Sequence, residues 1–151
     1  MTIRNFVAAD LEACLAVFDS NVPRFFTDEE RPLFADFLAD LPGPYFVLEM
    51  EDGSVGGCGG YAVNAEHGSA DLCWGMVRQE LHGKQLGRAL TERRVTAALD
   101  DPDVHVIALN TSQHTRGFYE HLGFEVLEVV RDGYAPGLHR CEMRMNARRS
   151  T

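Results

Sequence analysis

The spacing of apolar positions shifts along the chain between helical and strand periods, and each shift predicts a new element. Leu11, Cys14, Leu15 and Phe18 recur at three- and four-residue intervals behind Asp10, a capping residue type, which predicts a helix through about Asp19. Ahead of it, residues 3–6 read as a short first strand. Thr27 followed by Glu30 has the form of a capping box and opens a second helix with the stripe Leu33, Phe34, Phe37 and Leu38. Pro42-Gly43-Pro44 stops it. The period then falls to that of strands. Residues 45–50 and 54–63 flank Glu51-Asp52-Gly53, a hairpin signal, and residues 69–77 form a further strand. Helical spacing returns over residues 85–100 with Leu86, Ala89, Leu90, Ala97 and Leu99. Residues 104–109 are a strand, and residues 115–122 a short helix that Gly123 ends. Residues 124–131 and 138–145 form a last antiparallel pair, and residues 148–151 a frayed tail.

The order β-α-α-β-β-β-α-β-α-β-β predicts a mixed α+β sheet with helices on its faces. The β-α-β unit over residues 69–109 can set two parallel strands side by side. Gly56-Gly57 and Gly59-Gly60 fall inside a strand, without the Lys-Ser/Thr or the spacing of a phosphate loop, and read as bulges.

At 151 residues the chain suits one domain, residues 1–151. Its composition, 45% hydrophobic and 25% charged, is that of a soluble globular protein. No apolar run approaches the ~20 residues of a membrane span, and the N-terminal residues lack the apolar stretch of a secretory signal. A cytoplasmic setting is expected. Cys14, Cys58, Cys73 and Cys141 are scattered and read as reduced structural thiols, with no metal site. The net charge of −9 argues against nucleic acid or anionic membrane as a partner and suits an amine substrate. That charge is uneven. Arg78, Lys84, Arg88, Arg93 and Arg94 are opposed in their own stretch only by Glu80 and Glu92, a basic island suited to an anionic ligand.

The chemistry concentrates in Val77-Arg78-Gln79-Glu80-Leu81-His82-Gly83-Lys84-Gln85-Leu86-Gly87-Arg88-Ala89-Leu90. A strand ends, a polar loop with glycines follows, and a helix opens. Free N–H groups and the helix dipole make such a start an anion site. Gly83 and Gly87 remove side chains where a phosphate must approach, and Lys84 and Arg88 add charge. The inference is a phosphate or pyrophosphate held between residues 82 and 88.

These residues resemble the GNAT superfamily of N-acetyltransferases, whose pattern is a strand ending in Val, a loop, and R/Q-x-x-G-x-G/A opening a helix. Here Val77 ends the strand, and His82, Gln85 and Gly87 stand at the three motif positions. Gly117-Phe118-Tyr119-Glu120-His121-Leu122-Gly123-Phe124 is similar to the family's F/L-Y-x-x-x-G-F segment. The resemblance covers residues 3–145. It departs at His82, at Gln85 (expected to take right-handed helical geometry) and at Ser112, where the family favours Asn.

The resemblance implies a mostly antiparallel central sheet with helices on both faces, and acetyl-CoA as cosubstrate. It places acetyl-CoA in an opening between the strand ending near Val77 and the one beginning near Val104. Main-chain groups of Met76 and Val77 would pair with the pantetheine arm. His82, Gly83, Lys84, Gln85, Leu86, Gly87 and Arg88 would hold the diphosphate, and Ser112 would bond the arm. The amine attacks the thioester directly. Tyr119 matches the tyrosine that faces the cofactor's sulfur and would protonate the leaving thiolate. Asp71 is the candidate base or water-positioner, since an extended strand sets it on one face with Cys73 and Val77; Glu66 and His139 are weaker candidates. Phe25, Phe26, Trp74 and Tyr134 are candidate walls of an amine pocket, and residues 132–137 a candidate lid. A small-molecule amine is the expected acceptor. A protein or peptide N-terminus, a non-catalytic acyl-CoA-binding role and a homodimer through the last hairpin stay open.

Overall fold

Strands and helices follow one another in the expected order. The computed structural model describes residues 1–147, and the expected frayed tail lies outside them. The elements are β1 (Thr2–Asn5), α1 (Leu11–Asp19), α2 (Arg31–Ala39), β2 (Tyr45–Glu49), β3 (Val55–Asn64), β4 (Ser69–Val77), α3 (Leu86–Leu99), β5 (Val106–Thr111), α4 (Arg116–His121), β6 (Glu125–Ala135) and β7 (Leu138–Asn146). The strands form a seven-stranded sheet in the order β1-β2-β3-β4-β5-β7-β6. β4 and β5 run parallel, with Ser69 beside Val106 and Asp71 beside Ala108. β1 with β2, β2 with β3, β5 with β7 and β6 with β7 pair antiparallel. The expected mixed, mostly antiparallel α+β class is the observed one. Among the described residues no helix is long and apolar enough to cross a membrane.

Two compact units divide the chain. One comprises Met1–Ala62 with Cys73–Thr96, the other Val63–Leu72 with the chain from Ala97 onward. In the first, Cys14, Val17, Phe18, Phe34, Val47 and Cys58 are fully buried. Thr27 and Glu30 form the expected capping box, with Glu30 Oε1 accepting the Thr27 N–H at 3.0 Å. Asp10 acts differently from the expected cap: its carboxylate turns back to accept the Val7 N–H at 2.9 Å and the two terminal nitrogens of Arg4, each at 2.9 Å. Leu33 is 60% exposed, outside the buried stripe. Phe34 and Leu38, one turn apart, face the core, and Leu33 lies a residue's rotation (~100°) away on solvent. The glycine-rich strand holds one bulge. β2 pairs Leu48 with Gly57 and Glu49 with Val55, so Gly56 is the extra residue.

In the second unit Ile107, Leu109, Phe124, Leu138, Cys141 and Met143 are among the buried residues. Gly123, at φ +101°, ends α4. The expected lid is absent as a loop. β6 continues to Ala135, and only Pro136 and Gly137 turn the chain into β7. Asp132, at φ +54°, absorbs the irregularity. Its Oδ1 accepts the Gly137 N–H at 2.7 Å, and its own N–H donates to His139 Nδ1 at 3.0 Å. Gln113 fastens the tip from the side, donating to the Gly137 carbonyl at 2.7 Å and accepting the His139 N–H at 2.8 Å.

Candidate active site

The end of β4 is fixed by two donors on one acceptor. The Val77 carbonyl accepts a bond from Asn21 Nδ2 at 3.0 Å and another from His82 Nε2 at 2.8 Å. Asn21 is 2% exposed and also donates to the Val17 carbonyl at 2.9 Å. Ser20 Oγ donates to the same Val17 carbonyl at 2.7 Å and accepts the Gln79 N–H at 3.1 Å, which anchors the 3-10 turn Gln79–Leu81. Because a carbonyl only accepts, Nε2 of His82 carries its hydrogen. The imidazole also meets the Phe25 ring edge-on at 5.2 Å, with Arg24 lying 5.2 Å from the Phe25 centroid. His82 therefore spends its side chain on the strand end, and its contribution to an anion is main-chain. An added strand alongside Val77 meets a carbonyl already bonded twice, which leaves pairing at this residue to its N–H.

The turn beyond is built from left-handed residues. Gly83 has φ +80° and Gln85 φ +66°. The right-handed geometry expected of Gln85 is thus corrected. The position needs the left-handed region, which a glycine enters freely and a side chain enters at ~1–2 kcal/mol. Ala89 N–H bonds the Gln85 carbonyl at 3.2 Å, closing the first turn of α3. The N–H groups ahead of it have no acceptor within the helix. Alternating hands of φ gather such groups into a concave nest at the positive end of the helix dipole. Nothing lies within 4 Å of where a Gly83 Cβ would sit, so this concavity is open to a diphosphate. The residues fit that group.

The basic island is narrower than its sequence suggests. Arg88 pairs with Glu92 at 2.8 Å, Arg78 with Glu80 at 3.4 Å, and Arg93 lies over the Phe46 ring at 4.9 Å. Arg94 is buried at 2% exposure. Lys84 is exposed beside the row of N–H groups.

One pleat before Met76, β4 is interrupted. Trp74 has φ +45°. Its carbonyl accepts the Tyr45 hydroxyl at 2.8 Å. Burial, together with Cys58 alongside, pushes the Tyr45 hydroxyl well above its ordinary range and keeps it a donor. The indole stacks on Phe34 at 5.1 Å and on Phe26 at 6.1 Å, with Phe37 tilted against it at 6.2 Å. Phe26 and Trp74 thus come together, whereas Phe25 belongs with His82. The break also ends strict alternation, so counting by twos from Asp71 to Val77 does not establish a shared face.

In the second unit Asp71 is half-buried in the parallel ladder with β5. Ser112 is 5% exposed; its Oγ accepts the His114 N–H at 3.2 Å, and its carbonyl accepts Thr115 and Arg116 N–H groups at 3.2 and 3.1 Å to open α4. The Thr111 and Thr115 hydroxyls bond each other. The Tyr119 ring meets Phe118 at 4.9 Å and Phe124 at 5.8 Å, both edge-on, and its hydroxyl bonds nothing among the described residues. Tyr134 is half-buried on β6, Glu66 lies in an exposed turn, and His139 is held in the hairpin network.

Asn21, Ser20 and Tyr45 escape the sequence reading, and Arg94 enters it only as part of the basic island. The first three act through main-chain partners 56, 59 and 29 residues away, which local spacing does not reveal. Arg94 did leave a signal: Leu90, Arg94 and Ala98 recur every four residues, and all three are buried.

The family model for the acetyltransferase (GNAT) domain matches residues 42–126. A solved protein from Desulfovibrio desulfuricans, assigned to the GNAT acetyltransferases, is similar at 25% identity and TM-score 0.79, over 96% of this chain and 98% of its own. An aminoglycoside 6'-N-acetyltransferase solved with coenzyme A shares the fold at TM-score 0.80 and 13% identity, over the full length of both chains. So does a ribosomal-protein-alanine N-acetyltransferase from Brucella melitensis, at TM-score 0.76 and 21% identity, over 97% of this chain and all of its own. No functionally curated protein matches the chain by sequence.

Proposed function

Because this chain belongs to the GNAT acetyltransferases and so uses acetyl-CoA to acetylate an amine, we propose that its acceptor is a small molecule received against the Trp74–Phe26 face of the first unit. The observation that carries this reading is the interruption of β4 at Trp74, which turns the indole onto Phe26 and Phe34 beside the strand end. Half-buried aromatic rings attract the cationic or apolar parts of an amine through their faces.

Main-chain groups at Met76 and Val77 would align the pantetheine arm. The turn from His82 through Gly83, Lys84, Gln85, Leu86, Gly87 and Arg88 would hold the diphosphate, and Ser112 would donate its hydroxyl hydrogen to the arm. Bound acetyl-CoA supplies an activated acetyl thioester. An ordinary amine is mostly protonated near neutrality and must lose a proton before it attacks. Asp71 would take that proton, directly or through water. Tyr119 Oη would give one to the departing sulfur.

The test is thiol release from acetyl-CoA across polyamines, amino acids, aminoglycosides and peptide N-termini. Turnover is expected on small amines. Trp74→Ala should raise the acceptor KM at least about tenfold and leave acetyl-CoA affinity unchanged. Turnover confined to peptide N-termini would overturn the reading.

A further inference from the structure

Among the described residues Arg94 is a buried cation without a counter-charge. Its guanidinium lies flat against β3 and β4, in space that two glycines leave. A Cβ at Gly75 would fall 2.5 Å from Nη2 and 2.8 Å from Nη1, and one at Gly59 would fall 3.1 Å from Cζ. Nη1 reaches the Gly60 carbonyl and Nη2 reaches Thr91 Oγ1, both at 3.4 Å, the long limit of a hydrogen bond. Nε bonds nothing. Among the described residues no carboxylate pairs with Arg94. A guanidinium cannot shed its charge at this depth, and an unpaired buried charge opposes folding strongly. Rule-breaking of this kind collects where a function requires it.

We propose that Arg94 is the electrostatic partner of the sulfur that acetyl transfer leaves negative. This rests on the acetyl-CoA reading. An arm running from the 82–88 turn along Val77 and Met76 would bring its reacting end to the Trp74–Gly75 break, beside which Arg94 lies. In the transfer, the bond from amine nitrogen to acetyl carbon forms and the carbon–sulfur bond breaks. The bonding pair goes to sulfur, and the proton released by nitrogen ends there. Negative charge therefore grows beside a fixed cation in a water-poor setting, where such charge is stabilised most. Arg94 acts as a positioning residue, through the field it sets at the break in β4.

The test compares binding of free CoA, whose thiol titrates, with binding of acetyl-CoA, which has none, between pH 6.5 and 9.5. In the wild type, CoA affinity should gain about tenfold over that range while acetyl-CoA affinity stays flat, the mark of a thiol shifted by about one unit on binding. In Arg94→Met the gain should vanish, kcat should fall at least about tenfold, and the ligand-free protein should melt no lower than the wild type. Arg94→Lys, which keeps the charge, should retain part of the gain. A flat CoA profile in the wild type overturns the proposal without any variant. So does Arg94→Met with the wild-type profile. Failure of the wild type to bind either ligand would defeat the acetyl-CoA reading itself and is a separate outcome.

Discussion

Asn21 donates from Nδ2 to the carbonyl of Val77 at 3.0 Å and so ties the residues after α1 to the end of β4. From the helix side the Asn21 amide holds the strand end on which the candidate cofactor turn hangs, and Ser20 anchors the turn just beyond it. Asn21→Ala leaves the buried Val17 carbonyl with one donor fewer and Val77 with His82 alone. A cost of about 1–3 kcal/mol is expected, or roughly 3–10 °C in melting temperature at this chain length. Thermal unfolding measures it, and acetyl-CoA affinity should weaken in parallel. An unchanged melting temperature would show that this tether does not hold the strand.

Gln85 occupies the left-handed region at φ +66°. Gln85→Gly should relieve that strain, less the added freedom glycine gives the unfolded chain, for a net gain of about 0.5–1 kcal/mol. Gln85→Val should lower stability, since a β-branched residue fits this region poorly. Paired melting curves decide, and a lower melting temperature for Gln85→Gly would contradict the geometry.

Tyr119 packs by its ring, and its hydroxyl has no partner among the described residues. Tyr119→Phe should keep the melting temperature within about 1–2 °C while reducing kcat about 10²–10⁴-fold, the range for loss of a general acid. A kcat within twofold of wild type removes Tyr119 from the chemistry.

The Arg4 guanidinium holds the Asp10 carboxyl below its ordinary range, with the Val7 N–H helping against a smaller opposing effect of burial. A carboxyl lowered on folding stabilises fully above its unfolded pKa of ~3.9, and the benefit is lost as pH falls through the lower folded value. The melting difference between wild type and Asp10→Asn should therefore be full at pH 6 and shrink below pH 4. A difference that grew on acidification would reverse the assignment.

Much of this architecture is legible because its signals are local. The capping box at Thr27 and Glu30, the hairpin signal at Asp52-Gly53 and the stop at Gly123 each act within a few residues. The fold class and the candidate cofactor turn follow from such signals in order. What escapes the sequence depends on partners distant in the chain. Trp74 leaves extended geometry while Tyr45 holds its carbonyl and four phenylalanines pack its ring, none of which its neighbours in sequence predict. Asp132, by a bond across the hairpin, and Gln113, by bonds from its side, convert an expected lid into strand. Charge misleads for a similar reason. Arg94 counts as part of a basic surface until the helix that carries it is turned to face the sheet.

The closeness of Gly75 to Arg94 constrains the order in which relatives of this chain can diverge. While the guanidinium occupies the space, a methyl group at position 75 would fall 2.5 Å from Nη2, so even alanine requires the guanidinium to shift. Shortening the arginine first opens that space, and a larger residue at 75 then becomes tolerable. Only the reverse route has to displace a buried guanidinium. Descendants that carry a side chain at 75 should have lost the arginine or carry its guanidinium elsewhere.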